Sequence, residues 1–409
     1  MNETAIKISF SGDILSFPSN DRNCQTGHQS YNYDRYFDGV KTYLDESDYV
    51  VGSFETNCAG EKAGYSRNEM NFNSPDEILP ALKNAGFDML TTANNHCLDR
   101  GSKGLLRTIK ALDDAGIEHT GTFDSPTEKR CLIKDFDGLK VAFIAYTYGT
   151  NSSSNGNVLD NDELYMVNLT RRQDVPRRQS LPKRIAYRVI RIFKPNFRKR
   201  KTLIEDPRIF PDCVSDSQID APNNRPFITQ MADTIEKAKA DSDFVVFCLH
   251  SGGQFNSECV GYTQWLIDLI ASKDVDAIVV NHTHCVLNAA VKDGKCFVAY
   301  SLGNFSFSPK EGYYIDGVYA DYSILLNLHV NKEHGKLEQV TFSIFKSIKD
   351  ADGKARVVPT YELYGSQSDG SEKEMLKKDV EAVWKRFTGK TVGFGDVSKE
   401  YLLCGNLIE

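Results

Sequence analysis

Short apolar runs alternate with helical patterns along this chain, and each run closes on polar residues; nothing else in the sequence constrains the fold as much. AIKISFSG, SDYVVGSFE, FDMLTTANN and LKVAFIAYTYG read as strands. Between them, PDEILPALKNAG has an early Pro and a Gly stop, and GSKGLLRTIKALDDAG again ends at Gly, so both read as helices. The pattern resumes with the helix PFITQMADTIEKAKA, the strand SDFVVFCLHSGG and the helix GYTQWLIDLIASK, followed by the strands VDAIVVNHTH, KCFVAYSLGNF and YADYSILLNLHV. Such alternation predicts an α/β fold with its sheet covered by helices. Beyond about residue 330 the sequence predicts one or two more strands and a closing helix over EKEMLKKDVEAVWKRF, with no internal repeat.

A chain of 409 residues suffices for one large domain with insertions or for two domains. The net charge of -7 disfavours whole-surface binding to nucleic acid. MNETAIKISFSGD contains no basic segment leading into an apolar run of signal length, and no stretch reaches the roughly 18 apolar residues that span a bilayer. The expectation is a cytoplasmic protein. Its 10 cysteines form no CxxC pair and sit largely in apolar runs such as VVFCLH and KCFVAY, which predicts reduced, buried thiols and no zinc ribbon.

Residues 171–201 depart from the pattern: they hold 13 Lys or Arg against the single acid Asp174. This local excess of twelve positive charges leaves the remainder of the chain at -19. Within it, LPKRIAYRVIRIFKPNF mixes basic and apolar residues at helical spacing and predicts a basic amphipathic helix on an insertion across about 152–225. Arg177, Arg178, Lys183, Arg184, Arg188 and Arg191 are the candidates there for binding an anionic partner, whether a polymer, a lipid surface that would bring the protein to a membrane, or nucleic acid. The plainer reading is a solvated loop covering part of the domain.

The strand ends carry the chemistry. Asp13 closes SFSGD, Glu55 closes VVGSFE, and Asn94, Asn95 and His96 close LTTANNH. His250 closes VVFCLH, and His282 and His284 close AIVVNHTH. In an α/β sheet the C-terminal ends of parallel strands converge on one edge, where ligands bind. Two carboxylates, amide groups and four histidines therefore gather near one rim. Manganese, zinc and iron accept imidazole and carboxylate together, a carboxylate can bridge two cations, and a histidine left unligated can supply a proton. Taken singly these residues are ordinary. An Asp after a first strand is usually a turn or a helix cap, a lone His is usually satisfied in the core, and His-x-His shares a face only if the backbone stays extended. Their conjunction at strand ends is what independent caps and core histidines would not produce.

The ordered set SGDIL, SFETN, ANNHCLDRG, LHSGG, NHTH and YSLGNFSF resembles the CapA/PgsA family of capsule and poly-γ-glutamate biosynthesis proteins over about residues 6–308, with ANNHxxDxG and SLGNF the most specific pieces. TYGTN at 147–151 and VNL at 167–169 are further family-like features. The resemblance implies a calcineurin-like metallophosphatase fold: a four-layer α/β/β/α sandwich with two facing mixed sheets. It places residues 1–330 in that domain, with 331–409 completing it. It implies one or two divalent metal ions held by Asp13, Glu55, Asn95, His250, His282 and His284, with Glu55 bridging. His96 becomes the acid or transition-state stabiliser and Asp99 its orienting partner, while Asn94 and Asn304 line the substrate rim. The pattern departs from the family at Ser53-Phe54-Glu55, at His250-Ser251-Gly252-Gly253-Gln254-Phe255 and at Asn281, which stands where the family has Gly. Leu15 occupies the place of a usual metal-binding histidine, so one site is short of a ligand.

Three functions follow as expectations. The first is metal-dependent hydrolysis of a phosphoester or related bond in envelope or capsule metabolism, His96 assisting the leaving group. The second is a non-catalytic, metal-containing part of the capsule-synthesis machinery that handles an anionic polymer. The third is amide hydrolysis of poly-γ-glutamate-like chains.

Overall fold

The computed structural model describes residues 4–67, 71–175, 212–307 and 317–405. β1 (Ala5–Ile14) leads through a small hairpin, β2 (Gln25–Gly27) with β3 (Ser30–Tyr31), to β4 (Tyr49–Phe54), β5 (Met89–Thr91) and β6 (Glu118–Thr120). The chain then builds β7 (Leu132–Phe136), β8 (Leu139–Thr147), β9 (Phe244–His250), β10 (Ala277–Asn281), β11 (Ala289–Lys292) and β12 (Cys296–Ala299). It closes with β13 (Asn304–Ser306), β14 (Tyr322–Asn331), β15 (Leu337–Lys349), β16 (Ala355–Pro359) and β17 (Tyr401–Gly405).

Among the described residues these strands form two large sheets. The first runs β16-β15-β14-β1-β4-β5-β6, with β13 added on β1 and β17 on β15; the second runs β11-β12-β10-β9-β8-β7. β1, β4, β5 and β6 are parallel, as are β8, β9, β10 and β12, while the outer strands are antiparallel. Both sheets are therefore mixed.

The layering follows from the period of two along each strand. Ile6, Ile8, Phe10, Val51 and Met89 of the first sheet meet Val141, Phe143, Val246, Val279 and Phe297 of the second in one buried cluster. The alternate residues Val50, Phe54 and Leu90 pack under Ile78, Leu79 and Leu82 of the helix Ile78–Ala85. Ile144, Val245, Phe247 and Ile278 pack under Met231 and Ile235 of the helix Arg225–Asp241 and Leu266 and Ile270 of the helix Gly261–Ala271. The result is a four-layer α/β/β/α sandwich whose central strands are buried on both faces, which is why they read as continuous apolar runs. Each such buried side chain contributes about 1.5–3 kcal/mol.

β15, β16 and β17 extend the first sheet, and the helix Ser371–Thr388 sends Val380, Trp384 and Phe387 into the cluster between the sheets. The described ends of the insertion are also packed: Val167 and Leu169 join Leu105 and Ile109 in a buried cluster. Arg171, the first of the basic run, is buried and paired with Asp174 at 2.7 Å. Arg177, Arg178, Lys183, Arg184, Arg188 and Arg191, with the amphipathic helix expected there, lie outside the described residues. All ten cysteines are free. No helix among the described residues is long and apolar enough to cross a membrane.

KCFVAYSLGNF, which reads as one strand, is two strands in different sheets. β12 ends at Ala299 in the second sheet, and β13 begins at Asn304 beside β1 in the first. Gly303, at φ +76°, makes the break, a conformation that costs glycine little. The crossing brings backbones together: Asp13 N–H donates to Gly303 O at 2.8 Å, and a Cβ on Gly12 would stand 2.1 Å from that oxygen. The glycines of SGD and SLGN therefore serve one close approach, which carries the second sheet onto the end of the first.

Candidate metal centre

β1 and β4 deliver the two carboxylates. Asp13 lies inside β1, one residue before its end, in register with Ser53 of β4 and Asn304 of β13. Its Oδ1 accepts from Ser53 Oγ at 2.8 Å and its Oδ2 from the His282 backbone N–H at 3.0 Å. Glu55 follows β4 directly and is fully buried, yet neither of its carboxylate oxygens accepts a hydrogen bond among the described residues. A buried, unsatisfied carboxylate is costly. What surrounds it is a shell of nitrogens: His250 Nε2 at 3.4 Å and His282 Nδ1 at 3.9 Å from Oε1, and His284 Nδ1 at 3.8 Å from Oε2.

Two donor groups share this residue: Glu55, His250 and His282 on one side, and Asp13, Glu55 and His284 on the other, with the donor atoms of each lying within 4.8 Å of one another. On the first side His250 Nε2 also stands 2.8 Å from Asn95 Oδ1 and 3.2 Å from His282 Nδ1. Its Nδ1 has no hydrogen-bond partner and lies 3.7 Å from Asp13 Oδ1. Buried oxygens and nitrogens from carboxylate, imidazole and amide, gathered around the two unpaired oxygens of Glu55, are the donor set that zinc, manganese or iron takes. The residues present fit one or two divalent ions.

The electrostatics separate the roles. Burial, followed by the nearby charge of Glu55, pushes the Asp13 carboxyl well above its usual range. Burial pushes Glu55 in the same direction, but the His284 and His250 rings overcome it and hold that carboxyl well below its usual range. Burial lowers His282 to about 3 and lowers His284 too. His96 goes the other way. Burial opposes its charge, but Asp99 outweighs burial and raises it.

The backbone at NHTH is not extended: His282 sits at φ 110° and His284 at φ 57°. Their ring centroids nevertheless stand 5.7 Å apart, because a left-handed turn brings both rings back to one side. Such strained non-glycine positions persist where the surroundings over-determine them. Here the His282 N–H bond to Asp13 and the Phe255 N–H bond to Thr283 O, 2.7 Å long, tie the turn down.

Asn94 and Asn304, expected on the rim, are buried. Asn94 donates to Phe54 O at 2.7 Å and accepts the His96 N–H at 2.9 Å, so it braces the turn that presents Asn95 and His96. Asn304 donates to His284 O and Ala320 O and lies 2.9 Å from His284 Nδ1. Leu15 joins an apolar wall with Phe17, Phe72, Phe255 and Leu287 and offers no donor.

The structure adds residues that the sequence reading passed over. Phe72 sets its ring edge-on to His96 at 4.6 Å and gives its N–H to Asp99 Oδ2 at 2.7 Å. Asn57 donates to His96 O at 2.6 Å, Asn155 donates to Asp99 Oδ1 at 3.2 Å, and Tyr148 packs on His282 at 5.0 Å. Asn57 and Tyr148 lie in the segments SFETN and TYGTN, which the sequence already marks, whereas Phe72 and Asn155 lie outside any such segment.

Residues 7–309 match the family model of the bacterial capsule synthesis protein PGA_cap. The chain is 25% identical over 282 residues to the capsule biosynthesis protein CapA of Bacillus anthracis, covering 68% of this chain and 54% of that protein. It is 23% identical over 310 residues to the PGA biosynthesis protein CapA of Bacillus subtilis (strain 168), covering 75% and 64%. The chain thus spans between about half and two thirds of the length of these curated relatives. A hypothetical protein from Thermus thermophilus aligns with 87% of this chain and 98% of its own at TM-score 0.38 and 12% identity.

Proposed function

Since the chain belongs to the bacterial capsule synthesis protein family, we propose that it is a metal-dependent hydrolase cleaving a phosphoester or related bond in the metabolism of an anionic envelope polymer. One observation carries this reading: both oxygens of the buried Glu55 carboxylate lack a hydrogen bond while nitrogens from four histidines, His96 among them, stand within 4 Å of them. A carboxylate placed so is accounted for by a cation.

Asp13, Glu55, Asn95, His250, His282 and His284 would hold the metal, and a divalent ion there supplies Lewis acidity toward water and a phosphoryl oxygen. The remaining work falls to the chain itself. Asp99 Oδ2 lies 2.7 Å from His96 Nδ1 and orients the ring, which leaves Nε2 on the side of Glu55, 3.9 Å from Oε1. His96 keeps its proton and passes it from Nε2 to the departing oxygen. Phe72 and Asn57 fix the ring and the backbone of His96, and Tyr148 and Phe255 pack against the ligand histidines His282 and His284.

The basic run of 171–201 supports a macromolecular anion as substrate over a small metabolite, since thirteen basic residues against one acid exceed what a single phosphate needs. The test is elemental analysis of the purified chain, with phosphomonoesterase and phosphodiesterase screens in manganese, in zinc and after chelation. Bound metal with chelator-sensitive turnover is the expected result. Metal without turnover on any ester would leave the non-catalytic polymer partner as the better reading.

A further inference from the structure

Asn95 has a counterpart. On one side of Glu55, Asn95 Oδ1 lies 2.8 Å from a ring nitrogen of His250. On the other, Asn304 Oδ1 lies 2.9 Å from Nδ1 of His284, and that same nitrogen is 3.8 Å from Asp13 Oδ2 and 3.8 Å from Glu55 Oε2. The Asn304 amide cannot be turned over. Its Nδ2 spends its hydrogens on two carbonyls, His284 O at 3.0 Å and Ala320 O at 2.9 Å, so Oδ1 is held toward His284 Nδ1. β13 pairs with β1 at Asp13↔Asn304, which puts the carboxylate and the amide side by side.

We propose that Asn304, through Oδ1, is a ligand of a second divalent-cation site formed with Asp13, Glu55 and His284, and that it compensates for the donor that Leu15 does not provide. The proposal rests on the metal reading above and deepens it. A neutral amide oxygen suits the place: Asp13 and Glu55 already bring two carboxylates to this side, and a neutral fourth donor completes the set without a third charge. With Asn304 so placed, each side of Glu55 holds a histidine with an asparagine oxygen beside it. The SLGNF crossing then has a purpose beyond packing, because only a strand arriving from the second sheet brings that oxygen beside Asp13.

The experiment is a manganese titration of the chelator-treated full chain by calorimetry, with metal content by elemental analysis and electron paramagnetic resonance of the loaded protein. Asn304→Ala should lose one manganese ion relative to wild type, or bind it at least about tenfold more weakly, and should lose any spin-coupled signal of a manganese pair. His250→Ala should lose the other ion. Asn304→Asp keeps an oxygen in place but not the two amide donors, so it should retain the wild-type ion count. An Asn304→Ala protein that binds as many ions as wild type with unchanged affinity overturns the proposal. So does Asn304→Asp failing as Asn304→Ala does, since Asn304 would then act only as a brace through Nδ2. Wild-type protein that takes up no ion at all removes the metal reading itself, a result distinct from either of these.

Discussion

Asp99 Oδ2 lies 2.7 Å from Nδ1 of His96, and this one contact sets His96 apart from His282 and His284, which burial shifts in the opposite direction. His96→Ala should keep the full metal content and lose about 10²–10⁴-fold in turnover, the usual worth of a positioned general acid. Asp99→Asn should lose less, about 10–100-fold, because the ring remains but its orienting partner is weakened. Elemental analysis alongside single-turnover kinetics checks both. Loss of metal in step with turnover in His96→Ala would make His96 a ligand instead.

Glu55 belongs to both donor groups, so Glu55→Gln should empty the whole centre. Wild-type protein should gain about 2.7 kcal/mol of stability with manganese at a hundredfold its dissociation constant, seen as a rise in melting temperature. The variant should melt at the same temperature with and without manganese. A wild-type-like rise in Glu55→Gln would remove Glu55 from the ligand set.

Gly12 faces the Gly303 carbonyl with no room for a methyl group. Gly12→Ala should cost about 3 kcal/mol and should displace Asp13, which donates its N–H to that same carbonyl. Denaturant unfolding measures the first effect, and metal content the second.

Burial pushes the Asp21 carboxyl up to about 7, against hydrogen bonds from Ser16 and from Tyr33 that pull it down. A raised carboxyl favours the folded state fully below its unfolded value near 4, and that contribution is lost as pH rises through 7. Asp21→Asn keeps an acceptor and cannot ionise. Its stability relative to wild type should therefore improve by about 2–4 kcal/mol between pH 4 and pH 8, measured by urea unfolding across that range. A flat difference would mean that Asp21 stays charged in the fold.

Binding of an anionic polymer such as poly-γ-glutamate should weaken by more than about tenfold between 50 and 200 mM salt if the basic run holds it. Reversing Arg177, Arg178, Lys183 and Arg184 to Glu should abolish most of that salt dependence, as read by fluorescence anisotropy of a labelled polymer. Unchanged binding in the reversed variant would free the run from this role.

The sequence by itself determined the α/β alternation and the polar strand ends that meet at the site, while the four-layer sandwich followed only from the family resemblance. Asp13, Glu55, Asn95, His96, His250, His282 and His284 could all be marked before any coordinate, because polar residues that terminate buried apolar runs collect at strand ends, here the ends of two facing sheets. Tertiary structure decided the rest. That Asn304 reaches Asp13 depends on Gly303 turning the chain out of one sheet into the other, and local patterning through KCFVAYSLGNF reads as one uninterrupted strand. That His282 and His284 converge depends on left-handed backbone, which alternation arguments exclude. That His96 differs from its neighbours depends on Asp99 lying within hydrogen-bonding reach of its ring, with Phe72 and Asn155 holding that carboxylate in turn. Sequence patterns report which residues are buried and on which face. Which donor meets which acceptor is a matter of tenths of an ångström, set only when both sheets and their connecting loops are in place.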